Sequence, residues 1–260
     1  MVILTAQTHR ILDSLENIEH SRGIKILYAC ETGSRAWGFP SPDSDYDVRF
    51  VYKHEIAWYL SLSEKKDSIE MMLEDGELDI TGWDIKKCLK LLYKSNGALL
   101  ERLQSPIVYC EQGAMSQLLW SYAQRCYSPV TTMHHYLGIA RNSFVEVDGK
   151  TEVKLKKLFY ALRAVLACKW ILDRDSIPPI IFMDMLQDLE FSNGLKELIV
   201  SLIELKAGQP ESYSHPAIPE LNNFIKAELA KAERIFPNLP GRKQKQIDLD
   251  ELFRDIIINY

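Results

Sequence analysis

The sequence has no apolar run approaching the roughly 20 residues that cross a bilayer, and its amino-terminal stretch MVILTAQTHRILDSLENIEH carries charges where a secretion signal needs an apolar block. A cytoplasmic protein without a membrane partner is therefore expected. Cysteine is sparse and badly spaced for chemistry: Cys30, Cys88, Cys110, Cys126 and Cys168 include no C-x-x-C pair and leave an odd thiol over, which argues against a disulfide framework or a zinc site. Buried thiols are the expected form. There is no surplus of base either. A net charge of -5 argues against wholesale coating of nucleic acid, although it permits a local basic groove. No internal repeat is visible. What is present is a core: 260 residues, 47% of them hydrophobic, suffice for one large domain or two modest ones.

Two textures divide the chain. Ile11, Leu12, Leu15 and Ile18 have helical spacing over about 5–21, and Gly23 breaks that helix. The short apolar run Ile24–Cys30 reads as a central strand feeding the turn at Gly33-Ser34. SIEMMLE (68–74) and ELDITGW (77–83) read as a hairpin around Asp75-Gly76. Ile85, Cys88, Leu89 and Leu92 then share a helix face, Asn96-Gly97 is expected to end that helix, and residues 105–109 to leave it as an extended exit. Helical patterns follow at about 113–126, 130–146, 150–173, 180–190, 194–206, 217–235 and 248–258. A boundary is expected near residue 115.

The richest stretch is ETGSRAWGFPSPDSDYDVRFVY, residues 31–52. Alternation along a strand sends Tyr46, Val48, Phe50 and Tyr52 to one face and Asp45, Asp47 and Arg49 to the other. The two aspartates then lie about 7 Å apart and point together. Such a pair is costly unless a cation joins it, and its hard oxygen atoms suit Mg²⁺ or Mn²⁺. Pro42, Asp43 and Ser44 equally suit a solvated turn. Gly33-Ser34 ends the preceding strand, where backbone N–H groups and the Ser34 hydroxyl can meet a phosphate and Gly33 lets it approach.

Gly-Ser followed by Asp-x-Asp resembles the signature of nucleotidyltransferases of the DNA polymerase beta superfamily. With LDITGWDIKKCLKLLYKSN, SPIVY and KLKKLFYALRAVLACKWI, the chain looks similar to the nucleotidyltransferases associated with RNA repair, polymerase-beta-like proteins that accompany RNA ligases. The resemblance spans about residues 31–171. It implies an α+β fold: a polymerase-beta-like core, a small mixed sheet with helices over 1–115, followed by an all-helical domain over 116–260 that closes the nucleotide cleft. It also implies two divalent ions and transfer of a nucleoside monophosphate from an NTP, ATP among them, to an acceptor hydroxyl with loss of pyrophosphate. RNA, a protein or a small molecule are all open as acceptor.

Residue by residue, the resemblance makes Asp45 and Asp47 metal ligands and calls for a third carboxylate. Asp79 suits it, lying mid-strand on the face of Thr81, while Asp84 directly precedes IKKCLKLL and suits a helix cap. Asp79 also has the alternative of an edge-strand charge. Asp45, Asp47 and Asp79 are thus the expected catalytic and metal-binding residues. Gly33, Ser34 and Arg35 would hold phosphate. In GKTEVKLKKLFYALRAVLACKW, Lys150, Lys154 and Lys157 fall at one helical spacing and Lys156, Tyr160 and Arg163 at another. A solvated face is one reading; with a triphosphate to neutralise, Lys156, Tyr160 and Arg163 become nucleotide contacts. His134-His135, with rings on different faces, are not expected as ligands, Trp37, Trp83 and Trp170 suit core or cleft walls, and GRKQK (241–245) suits a linker. A non-catalytic nucleotide-binding regulator with the same fold is the other functional class.

Overall fold

The structure, a computed structural model, describes residues 5–72, 77–192, 194–241 and 247–260. The expected Asp75-Gly76 turn and all of GRKQK except Gly241 lie outside the described residues. Along the chain run α1 (Ala6–Arg22), β1 (Ile24–Glu31), α2 (Gly33–Trp37), β2 (Tyr46–His54), α3 (Ile56–Tyr59), β3 (Ser68–Met72), β4 (Leu78–Asp84), α4 (Ile85–Tyr93), α5 (Gly97–Arg102), β5 (Val108–Glu111) and α6 (Met115–Cys126). They are followed by α7 (Pro129–Phe144), β6 (Glu152–Lys154), α8 (Leu155–Arg174), α9 (Phe182–Asp188), α10 (Leu195–Ala207), β7 (Ser214–Pro216), α11 (Pro219–Ile235) and α12 (Leu249–Asn259). The fold is α+β. No helix among the described residues is long and apolar enough to cross a membrane.

Two compact units emerge, and neither is a contiguous half of the chain. The first takes 1–36, 45–126 and 244–260; the second takes 37–44 and 127–243. Residue 115, the expected boundary, opens α6, which belongs to the first unit with α12. The five-stranded sheet of the first unit has the order β3-β4-β2-β1-β5, with β2 and β4 parallel and the other pairs antiparallel. Residues 105–109, expected as an extended exit, thus run into the edge strand β5 beside β1.

Local chemistry accounts for these elements. Thr5 caps α1 by accepting from Thr8 N–H, and Gly23 closes it in the left-handed conformation, φ 58°. Ile11, Leu15 and Ile18 then bury one face of α1 on Ile26, Val48, Phe50, Leu78 and Ile80. Gly82 is required here: a Cβ would stand 2.2 Å from the Phe50 ring. Asn96 does the opposite of what was expected, since its side chain accepts from Leu99 N–H and so begins α5 instead of ending α4. On the far side of the unit, Lys53 Nζ donates to Ile257 O at 2.9 Å, tying α12 to β2.

Among its described residues the second unit's regular structure is helical apart from the short β6-β7 ladder. Its centre is α8, buried on nearly every side from Leu155 to Ile171. That helix starts at Leu155, five residues later than its expected start. Lys150 lies before the ladder and Lys154 within it, so Lys150, Lys154 and Lys157 do not form one helical line. The reason is the alternation of exposed Glu152, buried Val153 and exposed Lys154, which sets a strand. Phe39 packs on Phe159 and Phe182 in this unit's core, with ring centroids 5.1 and 5.3 Å away.

Candidate active site

The alternation of β2 puts Asp47 and Arg49 on the face opposite Val48, Phe50 and Tyr52, all three buried. The parallel partner β4 runs in register with it, Asp47 opposite Asp79 and Arg49 opposite Thr81. Asp79 and Thr81 share the half-exposed face of β4, while Leu78 and Ile80 are buried. Two carboxylates from separate segments therefore stand side by side, as neighbouring strands are about 4.8 Å apart.

Arg49 joins them. Its Nη2 donates to Asp47 Oδ1 at 3.0 Å and to Asp79 Oδ2 at 2.8 Å. Its Nη1 donates to the backbone oxygens of Val48 and Asp79, both at 3.0 Å. Thr81 Oγ1 donates to Asp79 Oδ1 at 3.4 Å. Arg102 is buried on the Trp83 ring, 3.3 Å from its centroid, and interacts electrostatically with both Asp79 and Arg49. Burial lowers the Arg102 guanidinium to about 10.

The Gly-Ser turn closes on the same point. Thr32 donates its N–H and its hydroxyl to Asp47 O, at 2.9 and 3.0 Å. Gly33 has φ 65°, and a Cβ there would stand 2.3 Å from Asp47 Oδ2. Only glycine lets the turn come this close. Asp45 is exposed just before β2, and its carbonyl accepts from Arg35 Nε at 3.1 Å while the Arg35 guanidinium lies 3.8 Å over the Tyr46 ring.

Glu31 supports Asp47 from behind. Fully buried at the end of β1, it accepts from Asp47 N–H at 2.7 Å through Oε1 and from the Tyr109 hydroxyl through Oε2. Desolvation raises its carboxyl to about 7, against the lowering effect of both hydrogen bonds. Nothing in the local sequence marks this role, because Tyr109 arrives from 78 residues away. Arg49 had a fainter signal, its place two residues after Asp47 on the same strand face.

The remaining expected residues sit as follows. Asp84 is a helix cap, accepting from Lys86 N–H at 2.8 Å, and it also accepts from the Tyr59 hydroxyl at 2.8 Å; it is buried and its carboxyl is raised by burial. Lys156, Tyr160 and Arg163 do share α8, in the second unit. Lys156 is ion-paired with Glu211, which accepts from Ser44 Oγ at 2.9 Å. Arg163 is buried instead of lying on a polar line, with its guanidinium 4.3 Å over Trp37, and Tyr160 meets Trp37 edge-on at 5.0 Å. Lys206, also buried, donates to Phe39 O and Ser41 Oγ at 3.0 and 2.9 Å, so Lys206 and Glu211 clamp the segment leading to Asp45. His134 lies against Phe236 and His135 against Tyr136.

Among the described residues, no three His, Cys, Asp or Glu side chains are gathered as one metal ion would need. The donors nevertheless suit Mg²⁺ or Mn²⁺ in kind: carboxylate oxygens on one face, with a glycine fitted against Asp47. The cation standing between Asp47 and Asp79 is Arg49.

The model of the RNA repair pathway DNA polymerase beta family matches residues 8–255. The chain belongs to that family. Its sheet, the Gly33-Ser34 turn and the Asp45/Asp47 pair all lie within the matched span, and membership supports a role in nucleotidyl transfer. It is 40% identical over 250 residues to the uncharacterized protein YcgL of Bacillus subtilis (strain 168), covering 96% of this chain and 95% of that one. A crystal structure of a nucleotidyltransferase-like protein from Exiguobacterium sibiricum also aligns, at a TM-score of 0.30 and 11% identity, over 87% of this chain and 74% of that one.

Proposed function

We propose that the protein is a metal-dependent nucleotidyltransferase that moves a nucleoside monophosphate from an NTP to an acceptor hydroxyl, releasing pyrophosphate. The observation that carries this reading is the register of Asp47 with Asp79 on one face of β2 and β4, against the Gly33 turn.

Each residue has a part in the proposed reaction. Asp45 and Asp47 would hold divalent metal, which when bound would neutralise charge on the phosphates. Gly33, Ser34 and Arg35 take the triphosphate, Gly33 by close backbone approach and Arg35 by charge. Asp79 accepts the proton of the attacking hydroxyl, and its orientation is held by Arg49 and Thr81. Glu31 fixes the backbone of Asp47. Lys156, Tyr160 and Arg163 remain candidate nucleotide contacts. An RNA end is the first acceptor to try, because the family is described by RNA repair.

The test is pyrophosphate release from each NTP with Mg²⁺ or Mn²⁺ and an RNA oligonucleotide bearing a free terminal hydroxyl. Release that disappears in Asp47→Asn supports the reading. Binding of NTP without release for any acceptor would favour the regulator.

A further inference from the structure

We propose that Arg49 is a built-in cation that takes the place of one metal ion, so that the site holds a single divalent ion instead of two. The inference rests on the nucleotidyltransferase reading above. It concerns the ion that in a two-ion site would join the strand pair Asp47 and Asp79.

The position between those carboxylates is committed to the guanidinium. Four hydrogen bonds anchor it, two to the carboxylates and two to backbone oxygens, and its side chain is only 17% exposed while those of Asp47 and Asp79 are 34% and 35%. A divalent ion entering between Asp47 and Asp79 must either expel Arg49 and forfeit its four hydrogen bonds, or sit beside a like charge at contact distance. Arg102, buried and interacting electrostatically with both Asp79 and Arg49, adds a second positive charge nearby.

Asp47 divides its two oxygens accordingly. Oδ1 goes to Arg49, and Oδ2 lies at the Gly33 turn. A single ion would be held on the turn side, where Asp45 precedes the strand and where the Gly-Ser residues would place a triphosphate. Arg49 then does for Asp79 what an ion would do elsewhere: it fixes the carboxylate and balances its charge beside the reacting hydroxyl.

Counting ions tests this on the full chain, with a non-hydrolysable NTP analogue bound and Mn²⁺ followed by electron paramagnetic resonance. The expected result is one Mn²⁺ per chain with no exchange-coupled pair signal in the wild type and in Arg49→Lys, which keeps a cation. Arg49→Met should take up a second ion roughly tenfold or more tightly than the wild type does, with the coupled signal of two ions sharing Asp47. Two ions in the wild type, or one in both the wild type and a folded Arg49→Met, would overturn the inference while leaving the transferase reading intact. No Mn²⁺ in the wild type would instead sink the transferase reading, and the inference with it. If Arg49→Met does not fold, the wild-type count and its spectrum still decide.

Discussion

Gly33 and Asp47 are fitted to each other: a Cβ on Gly33 would stand 2.3 Å from Asp47 Oδ2, and Gly33 has the positive φ of 65° that such an approach needs. Gly33→Ala therefore meets both a strained backbone and a displaced carboxylate. It is expected to cost roughly 1–2 kcal/mol in a denaturant melt and to weaken Mn²⁺ binding at least tenfold. Metal affinity equal to that of the wild type would show that the turn and the carboxylate are independent.

Glu31 makes the fold sensitive to pH. Its carboxyl is raised to about 7 from an ordinary 4.5, so the native protein holds that proton more tightly than the unfolded chain does. The resulting stabilisation is full below about 4.5 and is lost as the pH rises through about 7. Glu31→Gln keeps an acceptor for Asp47 N–H and cannot ionise. Between about pH 5 and about pH 8 the wild type should lose stability relative to Glu31→Gln by an amount on the order of 2 kcal/mol, measured by denaturant melts. Parallel pH profiles for the two proteins would contradict this.

The two aspartates of ELDITGWD should separate activity from stability. Asp79→Asn is expected to abolish transfer and change stability by less than about 1 kcal/mol, since the carboxylate is partly exposed and Asn keeps its size. Asp84→Ala removes the cap on α4 and the acceptor for Tyr59, at a cost of roughly 2–3 kcal/mol, while transfer at moderate temperature survives. Melting temperature and turnover on the same preparations check both, and an inactive Asp84→Asn beside an active Asp79→Asn would reverse the assignment.

Lys156 is ion-paired with Glu211, which also holds Ser44. If α8 contributes to the nucleotide site, Lys156→Gln should weaken NTP binding by roughly tenfold with the fold intact. Unchanged affinity in a calorimetric titration would make Lys156 a clamp residue alone.

Local periodicity carried much of this architecture. Alternation from Tyr46 to Tyr52 separates the buried face from the carboxylate face, and Asp84 before an amphipathic run reads as the cap it is. What was not legible depends on partners distant in sequence. Arg49 meets Asp79 across 30 residues through strand register, and Glu31 meets Tyr109 across 78. Arg163 looked like part of a polar line because nothing nearby in the sequence says that Trp37 covers it. Charge pattern likewise extends α8 back to Lys150, whereas the alternation about buried Val153 makes Glu152–Lys154 a strand.

The central claim is metal-dependent transfer at the Asp45, Asp47 and Asp79 carboxylates. Its most direct measurement incubates the full chain with Mn²⁺, an α-labelled NTP and an RNA oligonucleotide, and follows label on the RNA together with released pyrophosphate. The account predicts equal amounts of both from the wild type and neither from Asp47→Asn or Asp79→Asn, with both variants folded. Label transfer that persists in folded Asp47→Asn and Asp79→Asn would contradict it.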